Sequence, residues 1–161
     1  MQVKKVILLS LMVFSGYSVA GELPSIDTTP GAINPAVTQA NIHETICVKG
    51  YTKTIRPPAW WTSKLKRQAI GQNGNMKDWE WDHELPLNLG GSPTDLRNMW
   101  AQPRFGEWNA ERKDELELKL MDLVCHGHFP LATAQHDITT NWIDAYKKYG
   151  GEKYHGNGSA D

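Results

Sequence analysis

The sequence contains only two cysteines, Cys47 and Cys125, and it has no long apolar run after its first twenty residues. Two cysteines so far apart cannot supply the paired ligands of a structural zinc site. Without a second apolar run, the rest of the chain is expected to have no membrane span. The net charge is only −1, so any affinity for phosphate groups must be local and cannot come from overall charge.

The first twenty residues have the composition of a secretory signal. A basic start is followed by the apolar stretch 6–14 and by the small residues Ser18-Val19-Ala20. This pattern predicts cleavage before Gly21 and a mature protein that is periplasmic or secreted, with an uncleaved anchor as the alternative. Without Lys4 and Lys5, the chain carries 15 basic and 18 acidic residues, a net charge of −3.

An exported chain with an even number of cysteines is expected to form a disulfide, here between Cys47 and Cys125, with two buried free thiols as the alternative. The length suits a single domain. We expect a signal over residues 1–20, an extended lead-in over 21–33, one domain over 34–150 and a disordered polar tail over 151–161.

Local patterns predict a mixed α+β domain with a pair of strands near its middle. Residues 78–84 should form one strand and residues 97–101 a return strand, joined by a loop that contains Gly90-Gly91. Leucines at helical spacing predict a helix over residues 108–125, and a final amphipathic helix should run over residues 131–149.

Two shorter helices are expected in the first half of the domain. One should start at Asn34 or Thr38 and run to about Ile46. The other should follow the turn at Pro57-Pro58, with Thr62 or Ser63 as its cap, and continue through residue 70.

The segment from Val48 to Arg67 contains six basic residues and no acid. Aromatic residues are interleaved with them, a pattern that is typical of a surface for nucleic acid. A solvated surface without function is the alternative. Lys53 and Arg56 are the substrate-binding candidates in this segment.

The most informative stretch is Asp82-His83-Glu84-Leu85-Pro86-Leu87, which is followed by Gly90-Gly91 and by Asn98-Met99-Trp100. A carboxylate, an imidazole and an amide on one hairpin can hold a divalent cation, take a proton from water and orient the base. Hydrolysis of a phosphodiester needs those three parts. An ordinary pair at the end of a strand is the alternative for Asp82-His83.

These blocks resemble the HNH endonuclease family, the ββα-metal nucleases, over residues 79 to about 125. The matching text is D-H-E-L-P-L-N-L-G-G, then R-N-M-W, then W-N-A-E-R-K. The likeness is closest to extracytoplasmic members with D-H-x-x-P-L, a G-G turn and N-x-W. The resemblance implies a small single α+β domain whose ββα-metal hairpin and helix form a core surrounded by helices. It also implies a metal-dependent endonuclease that acts on nucleic acid, with DNA favoured over RNA and with low sequence specificity.

The resemblance assigns a role to each residue of the motif. His83 would be the general base, and Asn98 would accept a hydrogen bond from its other ring nitrogen. Asp82 and Asn109 would be ligands of the cation. Because Asn109 stands where many members have histidine, the resemblance favours Mg²⁺, with Mn²⁺ or Zn²⁺ as alternatives.

Two residues on the predicted helix would contact the substrate. Arg112 or Lys113, one turn after Asn109, would touch a neighbouring phosphate. The cysteine pairs that flank the motif in many members are absent, and the single disulfide would take their place. Two other functions stay open: a metal phosphodiesterase on a non-nucleic substrate, and a non-catalytic binding module of the cell envelope.

Overall fold

The computed structural model describes residues 21–150, so the predicted signal and the predicted tail lie outside the described residues. Within this range the protein is a mixture of helices and one two-stranded sheet, with one disulfide. This confirms the α+β class. Over the same residues, no helix combines the length and apolar character that crossing a membrane requires.

The sheet is an antiparallel hairpin of β1 (Trp79–His83) and β2 (Met99–Pro103). Its register pairs Trp79 with Pro103 at one end and His83 with Met99 at the other. The first strand agrees with the prediction to within one residue at each end. The return strand begins two residues later than predicted, because residues 96–98 form a 3-10 turn whose first N–H groups are capped by Asp95.

Residues 21–150 contain four α-helices: α1 (Tyr51–Ile55), α2 (Ala59–Ile70), α3 (Ala110–Cys125) and α4 (Leu131–Tyr149). The last of them is interrupted at Asn141, whose φ of −166° and ψ of 98° are not helical. The Asn141 side chain accepts hydrogen bonds from the N–H groups of Ile143 and Asp144 and so caps the second half of α4.

The first half of the domain differs from the prediction in detail. The helix expected to end near residue 46 is a 3-10 helix over Gln39–Glu44, which begins at the predicted cap Thr38. Helix α1 was not predicted. Helix α2 starts at Ala59, directly after Pro58, and not at Thr62 or Ser63, because the fixed φ of proline suits the residue that leads into a helix.

The core lies between α3 and α4, which pack against each other. Leu116 and Leu120 of α3 and Ile138 and Trp142 of α4 have no exposed surface. Burial of each such side chain contributes about 1.5–3 kcal/mol. The predicted spacing of apolar residues in both helices is therefore confirmed, and it fixes which face of α3 points inward.

The lead-in, which was expected to be extended, contains a turn at residues 26–28, and hydrogen bonds hold it against the hairpin loop and α4. The N–H of Gly31 donates to the carbonyl of Arg97, and residue 33 bridges to Gly91. The indole of Trp142 donates to the carbonyl of Glu22 at 2.9 Å. This segment is thus part of the packed domain, because long-range contacts satisfy its backbone groups.

The disulfide joins Cys47, just before α1, to Cys125 at the end of α3, across 78 residues of sequence. The predicted pairing is confirmed. The bond links the first half of the domain to the helix that carries part of the candidate site.

Replacing both cysteines by serine should lower the free energy of unfolding by about 4 kcal/mol, because the open chain regains the loop-closure entropy that the crosslink removes. Urea denaturation followed by circular dichroism measures this difference. Wild-type protein under reducing conditions is the matched control and should lose a similar amount. Equal unfolding midpoints for the oxidised and reduced proteins would contradict the expectation.

Candidate active site at the end of the hairpin

Asp82 and His83 are the last two residues of β1, where they pair with Trp100 and Met99 of β2. Burial differs between the two side chains. The His83 residue is only 6% exposed, whereas the Asp82 side chain keeps 16% of its surface. The pair therefore lies at the boundary between the core and solvent.

The imidazole of His83 is held by a main-chain carbonyl. Its Nε2 lies 3.1 Å from the carbonyl oxygen of Pro93. A carbonyl oxygen can only accept, so the neutral ring carries its proton on Nε2 and has its lone pair on Nδ1. The predicted hydrogen bond between Asn98 and the ring is wrong, and Pro93 is the group that fixes the tautomer.

The environment of His83 keeps the ring neutral. Burial lowers its pKa, while the bond to Pro93 and the charge of Asp82 oppose that effect. The positive charges of Arg56 and Lys113 add to the lowering, and the net pKa lies below the ordinary value of 6.5. A neutral imidazole with a free lone pair at neutral pH is what a general base requires.

Asn98 has a different role from the predicted one. It is fully buried, and it accepts from the N–H of Leu85 at 2.7 Å while donating to the carbonyls of Leu85 and Ser92 at 2.9 Å. It ends the 3-10 turn before β2. These hydrogen bonds connect the main chain after His83 to the loop before β2. Asn98 therefore influences the position of His83 only through the backbone.

The glycine turn is required by the same packing. A Cβ at Gly91 would overlap the carbonyl oxygen of Leu85 and crowd the amide of Asn98. Gly90 has a φ of 79°, which favours glycine. The G-G dipeptide of the motif therefore lets the loop close over Asn98.

Lys113 is the centre of a buried charge cluster. It has no exposed surface, and its Nζ donates to Asp82 Oδ2 at 2.7 Å, Glu117 Oε1 at 2.7 Å and the carbonyl of His83 at 2.8 Å. The three N–H groups of the ammonium thus have three oxygen acceptors. The prediction that Lys113 contacts a phosphate is wrong, because the side chain points into the domain.

The lysine is charged despite its burial. Burial alone would lower its pKa, but attraction by Asp82, Glu117 and Glu84 outweighs it and raises the pKa above the ordinary value. Glu84 is 1% exposed, and burial raises its pKa to about 8 against the attraction of Lys113, so that its carboxyl is mostly protonated at neutral pH. The cluster therefore contains one charged lysine and several carboxyl groups, of which that of Glu84 is mostly protonated at neutral pH.

Sequence reasoning missed Glu117, Glu84 and Pro93 as partners in the site. The burial of Lys113 could have been predicted from its spacing. It precedes Leu116 by three residues and Leu120 by seven, so it falls on the apolar stripe of α3. Glu117 follows Lys113 by four residues, which is the spacing of a helical ion pair. No local pattern indicates Pro93.

The other two predicted residues on α3 have structural partners. Asn109 is the cap of the helix: its Oδ1 accepts from the N–H of Arg112 at 3.2 Å, and its Nδ2 donates to the carbonyl of Gly106. Arg112 donates to the hydroxyl of Tyr146 at 3.2 Å, and its guanidinium lies over the rings of Trp108 and Tyr146. In this orientation the Arg112 guanidinium contacts Trp108 and Tyr146, which does not support the expected phosphate contact.

The predicted metal ligands do not fit a shared cation site. The Asp82 carboxylate is bound to the Lys113 ammonium. The side-chain oxygen of Asn109, Oδ1, is used in the helix cap. Within residues 21–150, no group of three or more histidine, cysteine, aspartate or glutamate side chains could hold a metal ion. A cation at Asp82 would have to compete with Lys113.

Lys53 and Arg56 lie in α1 and directly after it, respectively. Lys53 is an exposed residue of α1, and Arg56 follows that helix as an exposed residue before Pro57. The charge of Arg56 lowers the pKa of His83, so this arginine lies near the imidazole of His83. Of the four predicted substrate-binding residues, the structure leaves these two exposed at the surface.

In comparisons with protein-family models, curated proteins and solved structures, the chain matches none of them. The motif and the geometry of the site are therefore the features that bear on the function of this chain.

Proposed function

We propose that this chain is an exported phosphodiester hydrolase of the HNH type, which cuts nucleic acids with low sequence specificity. The observation that carries the proposal is the state of His83: a neutral imidazole with Nε2 on the Pro93 carbonyl and Nδ1 left with its lone pair. The order of β1, β2 and α3, with Asp82-His83 at the end of β1, agrees with a hairpin and helix of the ββα type.

In this proposal the chain's own residues transfer a proton and provide charged groups next to the reacting phosphate. Nδ1 of His83 takes a proton from a water molecule, and the resulting hydroxide attacks the phosphorus atom while the ester P–O bond to the leaving oxygen breaks. The leaving oxygen takes a proton from solvent, and the imidazolium returns its proton to solvent. Asp82 beside it stabilises the imidazolium that forms, and Lys113 holds the Asp82 carboxylate in place. Arg56, whose charge reaches His83, is placed to neutralise a phosphate of the substrate.

A divalent cation belongs to the proposal through the resemblance alone, with Mg²⁺ favoured over Mn²⁺ or Zn²⁺. When bound, such a cation would neutralise charge on the phosphate and the leaving oxygen. The arrangement of Asp82 and Asn109 does not support it. The requirement for metal is therefore a separate part of the proposal, with its own test.

A phosphodiesterase for small substrates is the second candidate function. The net charge of −3 without the signal favours a small substrate over a polyanion, because a polyanion is repelled at long range. The predicted export and the disulfide agree with either substrate. A non-catalytic envelope module is the third possibility, and it predicts no hydrolysis at all.

Nicking of supercoiled plasmid by the mature protein tests the proposal. We expect relaxed and linear products, which the His83→Ala variant should not form. A parallel assay with a small chromogenic phosphodiester separates the two substrate classes. Addition of a chelator, followed by Mg²⁺ or Mn²⁺, tests the metal requirement. Absence of hydrolysis in both assays, with metal present, would refute the proposal.

A further inference from the structure

Charge is strongly segregated along the described part of the chain. Residues 45–77 contain seven basic side chains and no acid, whereas the rest of residues 21–150 contains seven basic and sixteen acidic side chains. A protein with a small net charge thus carries one strongly positive region. Such a region attracts a polyanion locally even where the whole molecule does not.

Helix α2, in the middle of this region, presents an exposed tryptophan. Trp60 is 71% exposed, more than any other large apolar side chain among the described residues. Lys64 and Arg67 follow it by four and seven residues, so the three side chains share one face of the helix. Both basic residues are exposed. An exposed indole beside two cations is the composition of a stacking surface for a base with contacts for its phosphates.

The α2 face is connected to the candidate site. Helix α2 packs against both β1 and β2, the strands that carry and support His83. Arg56, which acts electrostatically on His83, is separated from α2 only by Pro57 and Pro58. Helix α2 and the candidate site therefore belong to elements of the domain that pack against each other.

We propose that the face formed by Trp60, Lys64 and Arg67 binds single-stranded nucleic acid, with one base stacked on Trp60 and the adjacent phosphates on the two cations. The bases of a duplex are stacked on each other and cannot reach an indole outside the grooves, whereas an unpaired base can. This inference rests on the proposed function, and it makes unpaired regions the preferred substrate.

Binding to oligonucleotides in a non-cleaving His83→Ala background tests the inference. Fluorescence anisotropy with a labelled single-stranded 20-mer and the matching duplex gives both affinities. Trp60→Ala should weaken single-strand binding roughly ten-fold and leave duplex binding nearly unchanged. Leu118→Ala, which removes another exposed apolar side chain from α3, is the matched control and should change neither.

The basic residues are tested by the salt dependence of the same binding. Lys64→Ala with Arg67→Ala should reduce the log–log slope for the single strand by roughly 1.4 units, since each phosphate contact contributes about 0.7. Lys147→Ala with Lys148→Ala, which removes the same charge from α4, should leave the slope unchanged. An unaltered slope in the first pair would show that the region is only a solvated surface.

The results also separate this inference from the proposed function. If the protein cuts nucleic acid but Trp60→Ala binds both forms like the parent, the inference is wrong and the function stands. Equal weakening for single strand and duplex would also overturn it, because stacking on an unpaired base would then not be the cause. If neither nucleic acid is bound or cut, the proposed function fails as well.

Discussion

Replacing Lys113 by methionine should lower the free energy of unfolding by about 3–5 kcal/mol, because the Asp82 carboxylate loses its counter-charge and the Glu117 carboxyl, whose pKa burial raises to about 8, loses its hydrogen-bond donor. The ammonium lies 2.7 Å from both Asp82 and Glu117, and it has no exposed surface. Urea denaturation at neutral pH measures the change. Lys147→Met is the control, because that lysine is exposed on α4 and its loss should change stability by less than about 0.5 kcal/mol.

A second substitution shows whether the unpaired charge is the cause. Adding Asp82→Asn to Lys113→Met should cost less than the sum of the two single changes, because the asparagine leaves no unpaired carboxylate at that position. Additive losses would contradict a role for Lys113 as the cation of this cluster. They would indicate that the methylene chain of the lysine matters only as core packing.

Replacing His83 by alanine should reduce the rate of hydrolysis by roughly 10²–10⁴-fold, because the variant lacks the group that accepts the proton of the attacking water. Binding of non-cleavable substrate should change little, since His83 is not assigned to hold it. His126→Ala is the matched control, because that histidine is exposed at the end of α3 and should leave the rate unchanged. A His83→Ala variant with a near-normal rate at neutral pH would remove His83 from the mechanism.

The pH dependence of the rate follows from the lowered pKa of His83. The active form is the neutral ring, so the rate should rise with pH through that pKa and then level off. Because the pKa lies below 6.5, the rate at pH 6.5 should already exceed half of its plateau. A rate that is still rising steeply between pH 7 and 8 would show that a different group is the base.

Local sequence signals predicted the elements that carry the candidate site. Aromatic residues and a partial alternation of apolar and polar residues predicted β1. The spacing of leucines predicted that one face of α3 is buried. The end of β1 at His83 and the glycine turn followed from the same stretch. These features are predictable because periodicity, capping and turn geometry depend on residues only a few positions apart. The Cys47–Cys125 bond was predictable because only one pairing exists.

At the candidate site, the failed predictions concern the partners of polar side chains. Asn98 was expected to meet the ring of His83, but it binds the backbone of Leu85 and Ser92. Lys113 was expected at the surface because lysine usually lies there. Three oxygen acceptors offset the cost of burying its charge, and two of them come from β1, 30 and 31 residues away in sequence.

The hairpin, the long helices and the disulfide could be predicted from the sequence alone, and Asp82 and His83 are neighbours in the chain. The hydrogen bond of His83 to Pro93, the capping of α3 by Asn109 and the bond between Lys113 and Asp82 depend on the packing of the folded chain. The two groups of features differ in the sequence distance over which they are specified. Backbone elements follow from neighbouring residues, whereas a polar side chain bonds to whichever group the packing of distant segments brings within about 3 Å.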